Sequence, residues 1–312
     1  MEERIKLRNR GVRMLDFKAI ELADVRNFMK HWELTAQRSS DYCFPILWGW
    51  AADYGYQTAI DKTDDLFWIR QTLPDIYNLA PVGNWQRGDW KQLLCKYFGS
   101  KAVFWLVPEE LAEIWQAQLG SAAALEEERD NWEYLYDIHE LAELAGGKYI
   151  KKRNRVNHFK KNYNYKYLPL TLENREAVME FQQRWLAESE GYLQGIKQEH
   201  NCIMRILKSW GEVPHLRGGI IEVSGNIAAY TIGELTGNSV LIHFEKALTE
   251  YTAGYQVINQ EFLQHLLKEK PKLLTVNREE DLGDEGLRES KLSYHPTGFI
   301  RKYKVTIDFN RG

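Results

Sequence analysis

The stretch Ser239-Val240-Leu241-Ile242-His243-Phe244-Glu245-Lys246-Ala247 sets His243, Glu245 and Lys246 into an apolar run. Side chains alternate along a strand, so His243 and Glu245 are expected on one face, with Ile242 and Phe244 on the other. An imidazole and a carboxylate two residues apart can share a proton or orient each other, as general-base work requires. A half-buried strand with a solvated polar face accounts for the same residues without chemistry. Downstream, TVNREEDLGDEGLRESKLSYHP (275–296) runs an apolar strand end directly into Asn277, Arg278, Glu279, Glu280 and Asp281. In open mixed sheets such an edge is where ligands sit.

The acidic run invites a test for metals. Counted as an EF-hand loop from Asn277, the position that needs glycine is Leu282 and the position that needs glutamate is Arg288. Counted from Asp281, the third position, which needs an acidic ligand, is Gly283, and the position that needs glutamate is Leu292. A magnesium site from Glu279, Glu280 and Asp281 stays open, but no metal ligand set is assigned. Charges capping a helix are the plainer explanation, with Asp284 as N-cap and Leu287 and Leu292 packing inward. Before Pro296, His295 is biased away from helix, so Tyr294 and His295 also fit as a helix end.

A third segment, Gly146 to Lys161, is strongly basic with interleaved aromatics. Lys148, Lys151, Lys152, Arg153, Asn154 and Arg155 are its candidates for phosphate contact. A solvated basic helix explains it equally simply. The loop Thr249 to Tyr255 holds one glycine and an acidic residue before a helix, which makes a poor pyrophosphate cradle. Acyl-CoA therefore ranks below other carriers as a donor, and no cofactor is required.

The elements that would position these residues repeat in order. In the first half, strand Leu15–Ile20 precedes an amphipathic helix Asp24–Trp32, with Val25, Phe28, Met29 and Trp32 at helical spacing. Strands are expected at Ile46–Ala51, Gln57–Ile60, Leu66–Ile69 and Tyr77–Ala80. Then come helix Asp89–Phe98, strand Lys101–Val107, helix Glu109–Leu119, and strands Glu133–Ile138 and Lys148–Lys151. In the second half, strand Lys166–Thr171 precedes helices Glu173–Glu188 and His200–Trp210. A meander Gly218–Ser224, Ile227–Leu235 and Ser239–Phe244 follows, with tight turns at Gly225-Asn226 and Gly237-Asn238. Helix Gly254–Leu267, strand Lys272–Val276, helix Glu285–Ser290 and strand Phe299–Ile307 complete it. This order is similar to that of the GNAT acyltransferase fold. The expected class is α+β (mixed α/β), with tandem domains at 1–164 and 165–312, each a mostly antiparallel sheet flanked by helices.

A length of 312 residues suits two domains. The net charge of −3 argues against broad nucleic-acid binding, while leaving room for a local basic patch. Cys43, Cys95 and Cys202 lie far apart without a CxxC. The N-terminus is charged throughout, and no apolar run of membrane-spanning length exists. A reduced cytoplasmic protein is the expectation.

HFEKA (243–247), GYQVINQEF (254–262), NREEDLGDEGLRESKLSYHP (277–296) and KYIKKRN (148–154) resemble a bacterial family classed with the C-terminal catalytic domain of phosphatidylglycerol lysyltransferase. The resemblance spans nearly the whole chain. It implies a tandem GNAT-like fold and transfer of an aminoacyl group from aminoacyl-tRNA to an amine or hydroxyl acceptor. On that footing His243 or Glu245 would take the acceptor proton, and Lys246 and Arg278 would steady negative charge on the carbonyl oxygen or hold a phosphate. Asn277, Glu279, Asp281, Lys291 and Tyr294 would hold substrate, and the basic segment would meet the phosphates of tRNA. The acceptor could be a small molecule, a peptide or a lipid headgroup. The alternative is a non-catalytic protein that grips tRNA or a nucleotide-linked metabolite on a transferase scaffold.

Overall fold

Two hairpin turns organise the central strands of the second half. Ser224 and Gly225, both with positive φ, join Leu216–Val223 to Asn226–Thr236, one residue earlier than expected. Gly237 and Asn238 join Asn226–Thr236 to Ser239–Ala247 as expected. The computed structural model describes residues 14–61, 63, 65–189 and 195–311. Within it the chain divides into two compact units, Met1–Asn131 with Ile300–Gly312, and Trp132–Phe299. The sequence expectation put the boundary at 164/165. The difference arises because strand Glu133–Asp137 pairs antiparallel with Thr275–Asn277, inside the second unit's sheet.

The fold is mixed α+β, and each unit has an antiparallel-rich sheet with helices, the tandem GNAT-like arrangement. The same core order occurs twice. In the first unit, Lys18–Ala19 pairs with Gln57–Asp61, which continues antiparallel to Leu66–Gln71 and Tyr77–Leu79. Helix Trp90–Phe98 then leads to Lys101–Pro108, parallel to Tyr77–Leu79. In the second unit, Tyr165–Pro169 pairs with Leu216–Val223, followed by the meander. Helix Gly254–Glu269 leads to Thr275–Asn277, parallel to Ser239–Ala247. A helix between parallel strands is the crossover that parallel pairing requires.

Three expectations change. Ile46–Ala51 is not a strand: Pro45 sits in the first turn of helix Phe44–Gly49, where its fixed φ and missing N–H cost nothing. Helix Ala51–Tyr54 follows. Lys148–Lys151 is not a strand either. Gly147–Tyr149 is a 3-10 turn that runs into helix Ile150–Asn162, whose Val156 and Phe159 are buried one turn apart. The expected last strand Phe299–Ile307 is two strands. Gly298–Ile300 lies in the second sheet and Lys302–Asp308 in the first, where it pairs with Lys101–Pro108 and with Ala123–Glu127. Ala123–Glu127 escaped the sequence reading because its acidic run lacks strand-like alternation.

The buried tryptophans concentrate in the first unit's core. Trp32, Trp68, Trp85, Trp90 and Trp115 are all buried there. Their rings meet edge-on, as at Trp90–Trp115 (5.5 Å between centroids) and Phe104–Trp115 (4.9 Å). The second unit's core is more aliphatic. Val257, Ile258, Phe262, Leu263 and Leu266 of helix Gly254–Glu269 cover Val240, Ile242 and Val276 of the sheet.

One irregularity in that sheet bears on the site. Opposite Asn226–Thr236, Ile232 pairs with Phe244 but Gly233 pairs with Ile242, which leaves His243 as the extra residue of a β-bulge. Gly233 permits it, since a Cβ there would meet the Leu241 carbonyl oxygen at 2.6 Å. Gly233→Ala is expected to destabilise the protein by about 1–3 kcal/mol. Urea unfolding reads this directly, and an unchanged midpoint would show that the bulge accommodates a side chain.

Candidate functional site

The bulge undoes the expected His243–Glu245 pairing, because an added residue reverses the alternation of faces beyond it. Glu245 turns toward helix Gly254–Glu269, where Asn259 Nδ2 donates to it at 2.9 Å. Lys246 points the opposite way, donating to Glu199 at 2.6 Å and lying 4.3 Å from the Trp185 ring centre. It therefore stands apart from Arg278, with which it was expected to work.

His243 lies among acidic groups. Its Nδ1 is 2.8 Å from Glu279 Oε1 and its Nε2 is 3.5 Å from Glu234 Oε2. The second distance is an ion-pair contact and not a formed hydrogen bond, and both Glu234 oxygens lack a hydrogen-bond partner. Burial pushes the imidazole pKa down, but the two carboxylates outweigh it and raise the group to about 9. The His243 side chain is fully buried, and its two carboxylate neighbours favour the imidazolium form. To serve as the expected proton acceptor it would first have to give up a proton that both carboxylates favour. Burial in turn raises Glu279 above the usual carboxylate range, with His243 opposing.

Arg278 is the centre of a second cluster. Its NH2 donates to Glu245 Oε2 at 2.5 Å, and its guanidinium lies 4.8 Å from the centre of the Tyr294 ring. Burial lowers its pKa, but Glu245 more than compensates and holds it above the ordinary guanidinium value. Tyr294 is buried. Burial raises its phenol pKa, with Arg278 acting against the rise. Each Glu245 oxygen accepts one hydrogen bond, from Asn259 and from Arg278. A carboxylate has about four lone-pair sites, so Glu245 retains room for a further donor.

The other residues expected to hold substrate form the frame of this loop. Asn277 is buried, donates to Glu133 and accepts from Glu279 N. Asp281 accepts from Tyr134 OH, Gly283 N and Arg288. Burial raises its pKa, but the Arg288 and Tyr134 bonds win and hold it well below the usual range. Lys291 Nζ donates to the Arg278 carbonyl at 2.6 Å and also to the Glu280 carbonyl. Glu279 and Asp281 are thus committed to different partners. Asp284 caps helix Glu285–Leu292 by accepting from Leu287 N at 2.7 Å. Leu287 and Leu292, expected inside, are exposed.

The basic segment is divided by its helical geometry. Lys148 donates to Glu140, and Arg153 donates to the carbonyls of Leu144 and Gly146. Lys151, Asn154 and Arg155 are exposed. Lys152 alone of the six turns onto the Tyr294 ring, 4.0 Å from its centre. Gly254, the single glycine of the expected phosphate loop, serves packing: a Cβ there would meet the Ala247 Cβ at 2.9 Å. Gly254 N donates to Tyr251 O and Gln256 N to Ala253 O, so these two amides are already used.

Sequence reasoning missed Glu234, Glu133, Asn259 and Tyr134. The available signal was a polar side chain on the buried side of an apolar element, as with Glu234 in IAAYTIGEL (227–235).

Residues 32–306 match the family described as phosphatidylglycerol lysyltransferase, C-terminal. The chain belongs to this family. Family likeness extends to an uncharacterised protein of Mycoplasmoides gallisepticum, 25% identical over 178 residues; the match spans 56% of this chain and 56% of that relative. Among solved structures, a conserved protein of unknown function from Bacteroides thetaiotaomicron is 28% identical with a TM-score of 0.82, covering 95% of this chain and 100% of that one. The C-terminal domain of a protein assigned as lysylphosphatidylglycerol synthetase from Agrobacterium fabrum has 15% identity and a TM-score of 0.64, covering 92% of each chain. This last likeness is one of fold. Among the described residues, no helix is long and apolar enough to cross a membrane.

Proposed function

We propose that this lysyltransferase-family chain moves an aminoacyl group from aminoacyl-tRNA to an amine or hydroxyl acceptor, at the Glu245–Arg278–Tyr294 cluster. The observation that carries the reading is this buried charged cluster beside a strand bulge, in a chain whose family transfers aminoacyl groups. Glu245, with acceptor capacity to spare, receives the attacking group and takes its proton. Arg278 and the Tyr294 hydroxyl donate toward the carbonyl oxygen as negative charge develops there. Asn259 holds Glu245 in place. Asn277, Glu279, Asp281 and Lys291 fix the path of the loop that carries Arg278. Exposed Lys151 and Arg155 meet tRNA phosphates at longer range. The occupied Gly254 and Gln256 amides count against a CoA pyrophosphate at this helix start and favour tRNA as the carrier.

The test uses tRNA charged with a radiolabelled amino acid and a panel of amines, peptides and hydroxyl-bearing lipid headgroups. Label is expected in one acceptor class, and Glu245→Gln is expected to lower kcat/KM about 100-fold or more. Full activity in both Glu245→Gln and Tyr294→Phe would place the chemistry elsewhere.

A further inference from the structure

Glu234 is a buried acid without hydrogen bonds. Its side chain, on strand Asn226–Thr236, is fully buried, and neither carboxylate oxygen has a hydrogen-bond partner among the described residues. His243 Nε2 is as deeply buried and also lacks one. The two groups face each other, with 3.5 Å between Nε2 and Glu234 Oε2. A carboxylate taken out of water without hydrogen bonds is costly, and a slightly closer approach would have supplied one. The spacing fits a different bond. A metal ion with ligand bonds of about 2.0–2.2 Å at tetrahedral angles sets its ligand atoms about 3.3–3.5 Å apart. The other ring nitrogen completes the pattern: Nδ1 lies 2.8 Å from Glu279 Oε1, the carboxylate contact that turns the Nε2 lone pair of an imidazole toward a metal.

We propose that Glu234 and His243 Nε2 bind one divalent transition-metal ion of the zinc class, with Glu279 orienting the imidazole. All three residues belong to the second unit. Charge points the same way. One imidazolium between two carboxylates leaves a negative charge over, whereas a neutral imidazole with a divalent cation leaves none. An imidazole ligand disfavours Mg2+ and Ca2+, which take oxygen. Both Glu234 oxygens are free to coordinate, and water completes the sphere. The ion has a structural task. Glu234 follows Gly233, and His243 is the extra residue of the bulge opposite it, so a bond to both pins the bulge. Glu279 extends that hold to the loop that carries Arg278. Metal and proton exclude each other on Nε2, so the imidazolium described above belongs to the metal-free chain. The proposal stands independently of the transfer reading, since neither ligand takes part in that chemistry.

The experiment treats the full chain with EDTA, then follows equilibrium dialysis and thermal unfolding with Zn2+, Mg2+ and Ca2+. One Zn2+ per chain is expected, with the unfolding midpoint raised by about 5 °C or more in excess zinc and unmoved by Mg2+ or Ca2+. Co2+ is expected to give visible absorption bands that Zn2+ removes. Glu279→Gln is expected to weaken zinc about tenfold or more through the imidazole. Glu234→Gln, which keeps the shape of the side chain, is expected to weaken it further. Glu222→Gln, on the neighbouring strand Leu216–Val223, is expected to bind as wild type does. Should Glu234→Gln fail to fold, the wild-type stoichiometry and the Co2+ spectrum decide. No zinc bound by the wild type at micromolar free metal would overturn the proposal. So would zinc binding that Glu234→Gln leaves intact or that Glu222→Gln weakens just as much.

Discussion

Arg278→Met is expected to destabilise the protein by about 3–5 kcal/mol, because it leaves Glu245 buried without its cation. The Glu245 side chain is 9% exposed, and its remaining side-chain partner is the neutral amide of Asn259. The loss does not measure what the ion pair contributes. Removing two charges from water costs nearly what their attraction returns, and the large penalty belongs to the orphaned partner. The double variant Arg278→Met/Glu245→Leu should consequently recover most of the lost stability. Urea unfolding of the single and double variants reads both effects as shifts in midpoint at constant slope. A double variant as unstable as the single would show that packing around Tyr294 dominates. Recovery of stability without recovery of transfer activity would separate the two roles given to the cluster.

The second large effect concerns His243 and pH. Its folded-state pKa, about 9, exceeds the unfolded value of ~6.5. A proton held more tightly in the folded chain contributes stability fully below the unfolded value. That contribution is lost as pH rises through the folded value. Glu279, also raised, acts with the same sign at lower pH. Wild type should therefore lose on the order of 1–3 kcal/mol relative to His243→Gln between pH 6 and pH 9.5. At pH 7 His243→Gln is expected to be the less stable, by about 3 kcal/mol or more, since Glu234 and Glu279 lose the imidazolium between them. Paired unfolding curves at the two pH values decide it. Parallel pH dependence in the two proteins would mean that folding does not raise the His243 pKa.

The run Asn277 to Asp281 announced itself in the sequence because charges there interrupt a strand end, and Arg278 indeed anchors the cluster. Asp284 as a cap was equally legible, since an N-cap is a local device. The tandem order of elements could be read because it depends on hydrophobic period and turn residues. The face assignment of His243 and Glu245 could not, because a bulge is a property of pairing between two strands and is invisible along one. Gly233 was its trace, yet a lone strand glycine has several meanings. The strand reading of Lys148–Lys151 failed because four residues are too few to reveal the helical spacing of Val156 and Phe159. Lys152 could not be singled out from its neighbours until the helix rotated it onto Tyr294.

The central claim is that the chain transfers an aminoacyl group, and single-turnover chemistry tests it most directly. Labelled aminoacyl-tRNA is bound to excess protein with the acceptor panel, and label on tRNA and on acceptor is followed in time. The expected result is loss from tRNA matched by gain on one acceptor, slowed by Glu245→Gln. Label that stays on the tRNA while the complex persists, with every acceptor class, would contradict it and make the chain a binder of its ligand.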